Sequence, residues 1–111
     1  MSICDFDKYV KATYKKKGAL VDRVDLSMIS KVIGKIPIEV RLKLWRWIKS
    51  VQTQGLEETR KISGYHDEPL KGRRIGQRSI RLTKAYRAIY IIHFDSSIRI
   101  VFIQEVHKHD Y

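Results

Sequence analysis

The chain is poor in acid, cysteine and proline, and it has no apolar run long enough to cross a bilayer as a helix. Each shortage excludes something. A single cysteine, Cys4, cannot form an internal disulfide or a thiolate cluster for zinc, so neither a disulfide scaffold nor a cysteine metal site holds the fold. A spanning helix needs about 20 consecutive apolar residues, and nothing here approaches that. The first residues lack the basic, apolar and small-residue order of a secretory leader, which makes a cytoplasmic location the expectation. Two prolines, Pro37 and Pro69, and no low-complexity tract leave no obvious linker, so residues 1–111 are read as one domain with one core.

The shortage of acid matters most. Twelve Asp and Glu stand against 23 Lys and Arg, a net charge of +11. A surplus of that size favours a polyanionic partner such as nucleic acid, or an acidic protein that neutralises the surface. A membrane surface is the weaker candidate, because no basic amphipathic tail accompanies the charge. The imbalance peaks between Lys71 and Arg87, where Lys71, Arg73, Arg74, Arg78, Arg81, Lys84 and Arg87 occur without one carboxylate. Gly72 and Gly76 bracket a tight connection inside this run. After it, Ser79-Ile80-Arg81-Leu82 alternates with the period of a half-buried strand. Ser79 and Arg81 therefore share the face opposite Ile80 and Leu82, where a guanidinium fixed on a sheet suits a phosphate.

The remaining pattern predicts helices first and strands afterwards. Asp5 caps an expected helix in which Phe6, Tyr9, Val10, Thr13 and Tyr14 recur at helical spacing and Gly18 closes the end, so residues 1–35 read as a helical N-terminal part. Residues 19–24 fit a short strand or an extended connector equally. Asp25 or Ser27 starts a short helix with Met28, Ile29, Val32 and Ile33 inward. The strongest helix runs from Pro37 to Gly55, with Val40, Leu44, Trp47, Ile48 and Val51 as its apolar stripe. Residues 56–62 add about two turns. Then the period changes: 77–82, 85–94 and 98–107 read as three strands of an antiparallel meander, the middle one apolar on both faces and hence central. The expected fold class is α+β, two layers, with N-terminal helices packed on a small meander.

No metal site or bound cofactor is expected. His107 and His109 share a face of a strand but lack cysteine or carboxylate co-ligands, and the Gly72/Gly76 turn lacks the Lys-Ser/Thr of a phosphate loop. His107, His109 and Tyr111 end a strand that should lie near the basic face, a grouping able to move protons near neutral pH. If the anion is RNA, such a group can take a proton from the ribose 2′-OH while fixed cations stabilise the phosphorane, and no metal is required. DNA, without a 2′-OH, would be spared.

The segment GYHDEPLKGRRIGQRSIRLTKAYRAIYII, followed by IRIVFIQEVHKHDY, resembles the toxins of the RelE/ParE superfamily, most closely a HigB-like branch with the signature PLKG…GQxSIR…YR. The resemblance covers roughly residues 36–111. It implies a toxin of a type II toxin–antitoxin system, an endoribonuclease that cuts mRNA on the ribosome, with a cognate antitoxin as partner and an oligomer formed with it. It further implies that Lys71 and Arg81 bind and neutralise phosphate, that Arg87 stabilises the transition state, that His109 transfers a proton, and that Tyr111 stacks or assists. Arg73, Arg74, Arg78 and Lys84 are expected to add phosphate contacts, and His66 and His107 are further candidates. Two other readings compete: a gyrase inhibitor of the ParE kind without catalysis, and a plain basic RNA-binding module.

Overall fold

The computed structural model describes residues 13–15, 21–95 and 98–108. Among them a six-stranded sheet carries a pair of helices on one face. The strands are β1 (Thr13–Lys15), β2 (Val21–Asp25), β3 (Glu68–Pro69), β4 (Arg78–Arg81), β5 (Tyr86–Asp95) and β6 (Ile98–Lys108), in the spatial order β1-β2-β6-β5-β4-β3. The helices are α1 (Ile38–Gln54) and α2 (Leu56–Arg60). The α+β class, the two layers, the meander β4-β5-β6 and the central place of β5 agree with the sequence reading.

The N-terminal part does not. Thr13–Lys15 is an edge strand antiparallel to β2, and not the last turns of a helix. A β-branched and an aromatic residue lie in that stretch, and strand pairing overrides a weak helical period. The rest of the expected first helix lies outside the described residues. The ambiguous stretch settles as β2, which pairs in parallel with β6 and places Val24 beside Val101. The sheet is therefore mixed, and the meander is its antiparallel half. The expected short helix of residues 27–33 is instead two 3₁₀ turns, Ser27–Ile29 and Ile33–Lys35. Asp25 Oδ1 accepts from the Ser27 amide at 2.8 Å and starts the first of them. Turns this tight change the angular spacing of side chains, so Ile29 and Ile33 are buried while Met28 and Val32 point to solvent.

The core lies between α1 and the sheet. Val40, Leu44, Trp47, Ile48 and Val51 of α1 meet Val24, Ile80, Ala88, Tyr90, Val101 and Ile103. Full burial of such side chains contributes roughly 1.5–3 kcal/mol each. Trp47 and Tyr90 rings lie 5.1 Å apart and join the helix to the central strand. Register then decides what the other face carries. Arg81 pairs with Arg87 and Ser79 with Ile89, so these four occupy the open face. A bulge sits in the β5/β6 pairing, where Ile89 faces Glu105 but the next residue, Tyr90, faces Ile103. The extra residue, Gln104, switches the alternation of β6. As a result His107 and Glu105 join the open face while Ile103 and Val101 still enter the core.

One ion cluster ties the parallel seam to the helices. Asp22 on β2 is 1% exposed; its carboxylate accepts from Arg99 Nε at 2.6 Å, from Arg99 Nη2 at 2.7 Å and from the Leu56 amide that opens α2 at 2.8 Å. Arg99 also binds Glu57, through Nη1 and through Nη2 at 2.7 Å. The hydrogen bond from Arg99 holds the Glu57 carboxyl well below its ordinary value, at about 2, and the two acids push the Arg99 guanidinium upward. Because the folded pKa of Glu57 is depressed, its contribution is present above the unfolded carboxylate range and lost as pH falls towards about 2. Wild-type protein should therefore lose stability between roughly pH 4.5 and 2 more steeply than Glu57→Gln, and Arg99→Ala should cost about 3 kcal/mol at neutral pH by stranding Asp22. Urea melts across that pH range check both.

Candidate functional site

The open face holds a cleft of about 270 Å³ lined by Glu68, Leu70, Arg74, Ser79, Arg87, Ile89 and His107. Arg87 is its centre. The side chain is 14% exposed, and Nη1 donates to Ser79 Oγ at 3.1 Å and to Glu68 Oε1 at 3.4 Å. Its Nε is buried and has no hydrogen-bond partner, and the same is true of Nε of Arg81. These two arginines are direct cross-strand neighbours on one face. Like charges so placed repel, and the arrangement becomes favourable when an anion sits between or above them.

The cleft's other cation is held loosely. Arg74 leaves the 3₁₀ turn Gly72–Arg74 and reaches Glu105 at 2.9 Å, with Gln77 Oε1 at 3.1 Å. The hydrogen bond to Glu105 raises the Arg74 pKa, and the same bond lowers that of Glu105. Both side chains are more than 40% exposed, so water screens the pair and a phosphate can displace it. Gly72 and Gly76 have φ of 66° and 95°, which a side chain would strain, and they let the turn fold back beside the cleft. Lys71 and Arg73 are exposed on this turn, and Lys84 is exposed between β4 and β5.

Not every expected residue converges. Arg78 lies on the helix face opposite Tyr90, where Nε binds Asp67 at 2.7 Å and that carboxylate has no exposure at all. Tyr90 Oη donates to Asp67 at 2.5 Å; burial, followed by the bond to Asp67, pushes the phenol far up. Arg78 is thus tied into the fold on the side away from the cleft. His66 sits at the rim, with Nε2 3.7 Å from Glu68. His107 lines the cleft beside Arg87, its register partner. His109 and Tyr111 lie outside the described residues. Sequence reasoning overlooked Glu68, and it placed Ser79 on this face without giving it a role. Glu68 was discoverable, since it is the last carboxylate before the acid-free run and sits within the quoted HDEPLKG segment. No group of three or more His, Cys, Asp or Glu among the described residues could hold a metal, and no described helix is long and apolar enough to cross a membrane.

A helix pair on one face of a small mixed sheet, with a cationic cleft on the other, defines an α+β fold of the RelE-like kind. Solved structures with this fold include a YoeB/ParE toxin from Agrobacterium tumefaciens, with TM-score 0.58 and 19% identity over 78% of this chain and 98% of that one. The RelBE2 toxin–antitoxin complex from Mycobacterium tuberculosis gives 0.54 and 18%, over 78% and 95%. YafQ from Escherichia coli strain BL21(DE3) gives 0.51 and 14%, over 79% and 93%. No protein-family model and no curated protein sequence matches the chain.

The geometry separates two kinds of arginine, and salt titration of binding to a short RNA should do the same. Arg87→Ala and Arg81→Ala should each flatten the dependence of log K on log salt by about one. Arg78→Ala should leave that slope unchanged and instead lower stability by about 3 kcal/mol, because Asp67 loses its cation.

Proposed function

We propose that the chain is the toxin of a type II toxin–antitoxin pair, of the RelE/ParE superfamily and its HigB-like branch, and that it cleaves mRNA on the ribosome without a metal. The observation that carries this reading is Arg87, a nearly buried guanidinium fixed on the sheet at the centre of a cleft that also holds a carboxylate and an imidazole. The shared fold supports it, and so does the PLKG…GQxSIR…YR pattern, whose residues supply β4, β5 and the turn before them.

The chemistry follows from the groups present. The Glu68 carboxylate accepts the ribose 2′-OH proton, and the freed oxygen attacks the adjacent phosphorus. Arg87, with Arg81 beside it and Arg74 at the rim, neutralises the extra charge of the phosphorane. The P–O5′ bond then breaks as an imidazolium donates its proton to the leaving oxygen, giving a 2′,3′-cyclic phosphate and a 5′-hydroxyl. His107 is the imidazole in the cleft, while the resemblance assigns the step to His109, with Tyr111 assisting. Lys71, Arg73 and Lys84 extend the phosphate-binding surface. The partner that silences this activity is an antitoxin, a comparatively acidic protein.

Single-turnover cleavage of ribosome-bound mRNA tests the assignment, with binding measured separately. Arg87→Ala and Glu68→Gln should each slow cleavage by about a hundredfold or more. Whichever of His107→Ala and His109→Ala causes a similar loss identifies the proton donor. If wild-type protein releases no cyclic phosphate ends and instead traps gyrase on DNA, the non-catalytic ParE reading replaces this one.

A further inference from the structure

The open face continues beyond the Arg87 cleft. Along β5 the residues on that side are Arg87, Ile89, Ile91 and His93, since the extra residue of the bulge belongs to β6 and leaves the alternation of β5 intact. Past the bulge, Ile91 pairs with Phe102 and His93 with Ile100. Ile89 also lines the cleft, so one strip of sheet joins the cleft to these residues. His93 is exposed, Ile91, Ile100 and Phe102 are half-buried, and none of the four belongs to the core between α1 and the sheet. The His93 and Phe102 ring centroids lie 5.6 Å apart with their planes at 81°. Rings at that angle do not stack on each other, which leaves a flat face for a third ring. On the other side of β6, Arg23 neighbours Ile100 and Asp25 neighbours Phe102, both on this face. The Asp25 carboxylate accepts from the amide and the hydroxyl of Ser27, at 2.8 and 2.6 Å.

We propose that His93 and Phe102 form a stacking platform for an unpaired base of the RNA strand whose backbone is held at Arg87. The strip is continuous with the cleft, and the four residues from Arg87 to Ile91 span about 14 Å at the rise of a strand, which a single strand covers within a few nucleotides. Aromatic rings beside fixed cations hold single strands in this way, because every base has a flat π-face to offer. Charge excludes the other occupants. Asp25 repels a phosphate or an acidic peptide from the spot beside Phe102 but not an uncharged base, while Arg23 stands past the rings where the backbone leaves. In a duplex the faces of a base are covered by its neighbours, so the platform selects single-stranded RNA. The inference deepens the nuclease reading, on which it rests for the ligand, by adding a subsite away from the reacting phosphate.

The test measures binding and needs no cleavage. The full chain is titrated with a fluorescein-labelled pentanucleotide that is 2′-O-methylated throughout and so lacks the attacking hydroxyl, and with versions carrying one abasic sugar at each position in turn. Phe102→Leu should weaken binding of the intact oligonucleotide about tenfold, Phe102→Tyr should bind like wild type, and His93→Ala should weaken binding in the same direction. One abasic position should cost wild type about tenfold and cost Phe102→Leu nothing more, since base and ring form a single interaction. The abasic series on wild type stands even where a variant folds poorly. Equal losses at every abasic position, or a Phe102→Leu effect of the same size on every oligonucleotide, overturns the proposal. Phe102-dependent binding of a glutamate-rich peptide, with no base dependence in the RNA, assigns the strip to a protein partner and also overturns it. If wild type cleaves no RNA while one base still depends on Phe102, the nuclease reading fails and the platform stands. Cleavage without such a base keeps that reading and removes the platform.

Discussion

The Asp22 carboxylate is the point on which the rest of the structure depends. It lies on the only parallel pairing among the described strands, two residues before Val24, which links β2 to the core, and its two oxygens serve three donors. One donor opens α2, and the others belong to Arg99, 77 residues away on the longest strand. A parallel pair cannot be closed by a short hairpin, so its register needs support from elsewhere. Here an ion cluster supplies that support and also sets where α2 begins. With β2 fixed, β6 and β5 take their places under α1, and the bulge between them aims His107 and Glu105 away from the core.

Acid is scarce in this chain, and where it is used divides the molecule. On the helix face, the Asp22 and Asp67 side chains are both buried, and each pairs with an arginine, Arg99 and Arg78. Burying an ion costs several kcal/mol unless it is fully paired, which explains why these carboxylates also take an amide or a phenol as a further donor. On the open face the supply runs short. Arg87 shares one carboxylate oxygen at 3.4 Å, and among the described residues Arg81 Nε has no partner. The fold is thus neutralised within and left cationic across its other surface, the electrostatic feature on which the proposed phosphate binding rests.

Much of this was legible in the sequence because the β4-β5-β6 alternation is strong and bounded by turn residues. Placing Ser79 and Arg81 opposite Ile80 and Leu82 also located the open face correctly, and the same alternation puts Arg78 inward. Counting cations alone had kept Arg78 among the phosphate contacts. Other features were hidden for physical reasons. Three residues of β1 carry too little period to outvote an apparent helix. A bulge leaves no trace in composition, so the reversal of β6 after Glu105 could not be read. The 3₁₀ geometry that turns Met28 and Val32 outward departs from the helical spacing that had placed them inward. Glu68 escaped notice because attention to positive charge passes over a carboxylate that faces it.

That carboxylate bears on what the site is for. A surface built only to hold a polyanion gains nothing from an acid beside its central arginine, since Glu68 competes with the ligand for Arg87 and repels the phosphate. Binding would improve if the position were neutral. The acid makes sense when a proton must be removed within reach of the same guanidinium, because a base and an electrophilic stabiliser have to flank one phosphorus atom. Its 3.4 Å contact with Arg87 is long for a charged pair, and the side chain is 45% exposed, so it can release the arginine to an incoming phosphate and still meet a hydroxyl. On the proposed mechanism, the affinity given up at Glu68 serves reaction over retention.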